Sequence, residues 1–144
     1  MTASDPHDLQ RFVKAQWTVF ETAMTELQAG RKQTHWMWFI FPQMRGLGQS
    51  PMAERYGIAS LDEAKAYLAH KVLGRRLELA CETVLARDPK PLTTLFAPPD
   101  DRKFLSCMSL FSQADPSAFS PFRMALQRWG GGVPDAGTAR LLGL

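Results

Sequence analysis

Little in this chain offers itself to covalent or metal chemistry. Its 144 residues include two cysteines and three histidines. Cys81 and Cys107 stand in apolar, helix-like surroundings without any Cys-x-x-Cys or Cys/His spacing, and read as two buried thiols of a reducing compartment. No two of His7, His35 and His70 have the spacing of metal ligands, so neither a zinc site nor a cofactor is expected. No serine occupies a nucleophile elbow and neither cysteine neighbours a basic group, which argues against a covalent intermediate.

Long hydrophobic runs are missing too. A bilayer-spanning helix needs about 20 apolar residues, and no such stretch exists, so no membrane partner is expected. The opening Met1-Thr-Ala-Ser-Asp-Pro6 has neither a basic nor an apolar leader region, and a cytoplasmic protein is the expectation. Charge of one sign is not concentrated anywhere. Seventeen Lys and Arg face fourteen Asp and Glu, for a formal charge of +3 and a pI near 9.1. Arg75-Arg76 is followed by Glu78 and Glu82, and Lys90 is preceded by Asp88, so no basic stripe forms and nucleic acid is disfavoured as a partner. No internal repeat or hairpin pattern occurs.

What remains is a normal globular composition, 45% hydrophobic and 22% charged, enough for one core in one domain over residues 1–144. Asp5 and Pro6 read as N-cap and first helical residue, and Leu9, Phe12, Val13, Phe20, Ala23, Met24 and Leu27 recur at helical spacing up to a stop at Gly30. This predicts one long amphipathic helix. Ser50-Pro51 starts a short one, and the Ser60-Leu-Asp-Glu63 capping box opens another to about Ala69. A further helix runs from Val72 to Arg87 and stops at Asp88-Pro89. Asp100 or Asp101 caps the next, with Phe104, Met108 and Phe111 inward. Ser120-Pro121 begins a helix to Trp129, and Asp135 with Thr138 caps a last one. The expected fold is all-α, a single compact orthogonal domain of about seven helices.

The most informative stretch is His35-Trp-Met-Trp-Phe-Ile-Phe-Pro-Gln43. Each large ring contributes roughly 1.5–3 kcal/mol when buried, so the run belongs at the centre of the fold, as a buried helical turn or an extended wall. His35 and Gln43 are then expected at or near the core, where polar groups need partners. The following Arg45-Gly-Leu-Gly-Gln-Ser-Pro51 is a loop. It matches no phosphate-binding fingerprint and reads better as a plain turn than as an anion cradle.

These segments resemble the bacterial DUF1810 family, uncharacterised proteins sometimes labelled calpastatin. The resemblance lies in Leu9-Gln-Arg-Phe-Val-Lys-Ala-Gln16, the aromatic run, Gly46-Leu-Gly-Gln-Ser50, Tyr56-Gly-Ile58, Leu73-Gly-Arg-Arg-Leu77, Asp100-Asp-Arg-Lys-Phe104, Ser106-Cys-Met-Ser-Leu-Phe111 and Asp135-Ala-Gly-Thr138. It implies a mostly helical domain over nearly the whole chain, and no reaction. Where the family tends to have Thr, this chain has Ser109, so a hydroxyl is what that position is expected to supply. Shorter segments, Glu63-Ala-Lys65, Lys103-Phe104 and Trp129-Gly130, are similar to the helical NADAR N-glycosidases, without a matching catalytic glutamate.

Among candidate site residues, His35 is the natural acid–base, because imidazole titrates near neutrality. Its plainer role is a core histidine. Trp36 offers a stacking face, Gln43 a directed amide, and Asp101 with Lys103 an acid and a base on one helix. Ser109 offers a hydroxyl that could equally bond back to its own helix. Trp17 and Trp129 read as core or edge-of-core residues. Two functions follow. One is a binder of a small planar or nucleotide-like ligand, with hydrolysis of an N-glycosidic or ADP-ribose-type substrate as its reaction if it is catalytic. The alternative is a non-catalytic helical protein-interaction module. Oligomeric state is not written in the sequence.

Overall fold

The first helix does not run as its periodicity predicts. A computed structural model describes residues 4–144, so the part of the leader reading that rests on Met1 to Ala3 lies outside the described residues. Asp5 is not the N-cap, which falls at Leu9; its carboxylate accepts the N–H groups of Leu9 at 2.8 Å and Gln10 at 3.0 Å from one turn away, and the helix begins one turn later than expected. It then breaks. Helix α1 (Gln10–Trp17) is separated from α2 (Phe20–Ala29) at Thr18 and Val19, two successive β-branched residues of low helix propensity. The apolar period survives the break because both halves face one core, and Phe12, Ala23 and Leu27 are fully buried. Trp17 ends the first half and points to solvent, 81% exposed, rather than into the core or its edge. Gly30 closes α2 in the left-handed region (φ 84°), as expected.

The remaining elements are α3 (Met37–Ile40), α4 (Pro51–Arg55), α5 (Leu61–Ala69), α6 (Leu73–Arg87), a 3-10 turn (Leu92–Thr94), α7 (Asp100–Ala114), α8 (Pro121–Gly130) and α9 (Ala136–Leu142). The described residues are thus all-α, with nine helices where about seven were expected. The split first helix adds one and the aromatic run, wound into the single turn α3, adds the other. Ser50, Ser60, Ser120 and Asp135 cap as predicted, each accepting a backbone N–H three residues on. Neither Asp100 nor Asp101 does so. Helix α7 has Pro99 before it and no side-chain cap, and both aspartates lie in its first turn. No helix among the described residues is long and apolar enough to cross a membrane.

Helix α7 forms the axis, packing against α5, α8 and α9, with Phe104, Met108 and Phe111 fully enclosed. Cys81 and Cys107 are free and fully buried, and burial pushes both thiols far above their ordinary range.

Three polar side chains inside the fold tie distant elements together. Arg11 spends all five of its N–H donors on protein: the carbonyls of Arg55, His7, Asp8 and Gly57, and the Glu63 carboxylate at 2.7 Å. Glu63 also accepts the Ala59 N–H, so the carboxylate of the capping box reaches one residue further back than predicted. Gln16 donates to the Phe39 carbonyl at 2.7 Å and the Tyr67 hydroxyl at 3.1 Å, joining α1, α3 and α5.

Candidate functional site

The aromatic run is held in place by its polar neighbours. Trp36 donates its indole N–H to Glu26 at 2.9 Å. The Glu26 carboxylate also takes the Gln33 N–H and both the N–H and hydroxyl of Thr34. Burial acts to raise the Glu26 carboxyl, but the bonds from Thr34, Gln33 and Trp36 outweigh it and bring the pKa down to about 2. At the other end, the Gln43 carbonyl accepts from Ile58 and the Arg45 N–H donates to the Ile58 carbonyl, a single parallel bridge that fixes where the chain leaves the run.

Between these anchors the helical turn divides the side chains. Trp36, Met37, Ile40 and Phe41 go inward, each at most 2% exposed. Phe41 packs edge-on against Phe104 at 5.1 Å and Phe96 at 5.9 Å. Trp38 and Gln43 are left half-buried at the boundary. Together with Phe41, Tyr56, Gly57 and Lys103 they line a narrow crevice of about 10 Å³, room for roughly one water. The Lys103 ammonium stands 5.2 Å from the centre of the Trp38 ring. Its nearest carboxylate, Asp100, is 3.9 Å away and is itself engaged by Lys32 at 2.8 Å. Tyr56 closes the wall, edge-on to Phe39 at 4.8 Å.

Two glycines make the crevice possible. A Cβ on Gly48 would stand 2.7 Å from the Ala53 Cβ, forcing the loop off α4, and 3.8 Å from the Gln43 amide nitrogen. One on Gly57 would meet the Arg45 backbone at 2.7 Å. The glycine loop is therefore a packing turn beside the crevice.

Of the residues singled out in the sequence, Gln43 and Lys103 meet here. The others go elsewhere. His35 is exposed and is not part of the lining, so the expectation of a histidine held at or near the core does not hold. Trp36 is sealed, 1% exposed, and has no face free for stacking. Ser109 is fully buried; its hydroxyl donates to the Leu105 carbonyl and accepts the Asp135 N–H, both at 2.8 Å, which occupies it structurally. Asp101 is half-buried outside the lining, with one carboxylate oxygen enclosed and without a hydrogen-bond partner among the described residues. Sequence reasoning missed Tyr56 as a wall, although the Tyr56-Gly57-Ile58 segment carried the signal, and it favoured Trp36 over Trp38. Residues two apart on a helical turn face nearly opposite ways, and a four-residue turn is too short for its phase to be read beforehand.

Residues 6–142 match the family described as protein of unknown function, DUF1810. No curated protein matches the chain. A crystal structure of a conserved hypothetical protein from Mycobacterium tuberculosis is similar at 48% identity and a TM-score of 0.93, covering 97% of this chain and 99% of the other.

Proposed function

The chain belongs to the DUF1810 family, and on that footing we propose that it is a binding domain for a small planar ligand carrying an acidic or carbonyl group, received by the crevice at Trp38. One observation carries this reading. Gln43 and Lys103, sixty residues apart, present an amide without a hydrogen bond among the described residues and an incompletely neutralised ammonium to the same aromatic crevice. Aromatic walls with a few convergent polar groups are the usual make-up of a small-molecule site. A ring would stack on Trp38 or Tyr56 while Gln43 reads a carbonyl or amide edge and Lys103 meets negative charge.

The crevice is too narrow for such a ring until one wall yields. Helix α4 supplies that wall through Ala53, and it buries none of its own residues, so displacing it costs little apolar contact. Hydrolysis of an N-glycosidic bond calls for a positioned acid–base group, typically a pair of carboxylates or an imidazole. The lining contains neither, which favours binding without hydrolysis.

A thermal-shift and NMR screen against nucleosides, nucleotides, nicotinamide and ADP-ribose tests the proposal. A hit is expected to shift the Trp38 indole and Gln43 side-chain amide signals. Gln43→Ala and Lys103→Met should each weaken it by about tenfold without lowering the melting temperature. Hits whose signals cluster away from Trp38, or a screen without hits, would remove the crevice reading.

The protein-interaction alternative draws on different residues. Trp17 and Phe119, each a single apolar side chain 81% and 86% exposed, are the positions a partner surface would cover.

A further inference from the structure

A second cleft lies against the paired Arg11 and Glu63. It encloses about 390 Å³ and is lined by His7, Asp8, Arg11, Arg45, Arg55 and Glu63, with Pro6 and Ala59. Its charges sort into two groups. Arg11 and Glu63 neutralise each other at 2.7 Å with every Arg11 donor spent, so they form an inert floor. Arg45 and Arg55 are different. Among the described residues neither is paired with a carboxylate.

Both are nonetheless held in place by uncharged groups. Arg45 donates Nε to the Glu54 carbonyl at 3.0 Å and one terminal nitrogen to the Gly57 carbonyl at 3.2 Å, leaving the other terminal nitrogen without a partner among the described residues. Arg55 donates Nε to the Tyr56 hydroxyl at 3.3 Å and rests over that ring at 5.6 Å, leaving both terminal nitrogens without a partner among the described residues. A carbonyl or hydroxyl orients a guanidinium without cancelling its charge. Counting Asp8, which also lines the cleft, the lining keeps one guanidinium charge in excess, and His7 adds an imidazole.

We infer that this cleft binds the phosphate group of a small phosphorylated compound, at a site distinct from the Trp38 crevice, the two meeting at α4, where Ala53 lines the crevice and Arg55 the cleft. Two preset guanidinium forks suit a tetrahedral oxyanion, which they engage through paired charge-assisted hydrogen bonds. The volume falls within the range of small-molecule pockets and exceeds what a lone phosphate fills, so the ligand is an ester whose body lies along Pro6 and Ala59.

NMR titrations of the full chain with ribose 5-phosphate, inorganic phosphate, sulfate and ribose, at fixed ionic strength, test this. Ribose 5-phosphate should saturate with a Kd of about 1 mM or tighter and move the Arg45 and Arg55 Nε–H signals rather than Trp38, while ribose is silent. Inorganic phosphate should bind more weakly than the ester. The Arg45→Gln/Arg55→Gln double variant, both positions being exposed, should melt like the parent and bind the ester about tenfold more weakly or worse. Unsaturable shifts, equal responses to sulfate and the ester, equal affinity for free phosphate and the ester, or undiminished binding by the double variant would each overturn it.

Discussion

The backbone N–H of Asp135 donates to Ser109 Oγ at 2.8 Å, while that oxygen donates its own proton to the Leu105 carbonyl. One buried hydroxyl therefore sets where α9 begins, since Asp135 is also its N-cap. Ser109→Ala strands the Asp135 donor and should cost about 1–3 kcal/mol in chemical denaturation. Amide exchange should quicken across Ala136–Leu142 more than in α7. Unchanged protection of α9 would show that the hydroxyl does not position it.

The Arg11–Glu63 pair predicts a larger loss. Both side chains are at most 7% exposed, so removing one partner leaves a buried charge uncompensated. Glu63→Ala should destabilise by about 3–5 kcal/mol. Glu63→Gln, which keeps the volume and one acceptor oxygen, enough for Arg11 or for the Ala59 N–H but not both, should lose less. Equal losses would mean that the lost packing, and not the stranded guanidinium, sets the cost.

Within the aromatic run the losses should divide by burial. Phe41→Ala opens a cavity between Phe96 and Phe104 and should cost about 3–5 kcal/mol. Trp38 is half-buried, and Trp38→Ala should cost clearly less in urea unfolding. The reverse order would place the crevice wall in the true core.

The reasons for these outcomes divide between what the sequence displays and what only the fold brings together. The Ser50, Ser60, Ser120 and Asp135 caps are local hydrogen bonds spanning three residues, so they were readable. The split at Thr18–Val19 was not, because both halves keep the same apolar phase and no glycine or proline marks the joint. Gln43 was recognisable as a polar group inside an apolar segment. Ser109 was recognised by the same logic and Trp36 as a stacking face, yet Asp135 and Glu26 engage their polar atoms from elsewhere in the chain. Nothing local reveals such a partner. The Arg45–Arg55 cleft was equally hidden, since Arg11 and Glu63, fifty-two residues apart, must first cancel before the remaining charge becomes visible.

His35 heads the aromatic run but stands exposed, with no hydrogen bond to the protein among the described residues. His35→Ala should therefore change stability by no more than about 0.5 kcal/mol. It should also leave the crevice signals of Trp38 and Gln43 where they are. A drop in melting temperature well beyond that would reveal a structural role.

Glu26 gives the pH dependence. Its carboxyl falls from an ordinary 4.5 to about 2 in the folded protein, with burial opposing and the Thr34, Gln33 and Trp36 bonds prevailing. A group whose folded pKa lies below its unfolded one stabilises the fold fully above the unfolded value. That contribution disappears as pH falls from about 4.5 toward 2. Glu26→Gln removes the titration while keeping an oxygen for the Gln33 and Trp36 donors. The variant should melt below the parent at neutral pH, and the gap between them should shrink steadily through that acid window. A gap that stays constant from neutrality to about pH 3 would show that Glu26 is not the carboxylate through which acid loosens the α2–α3 junction.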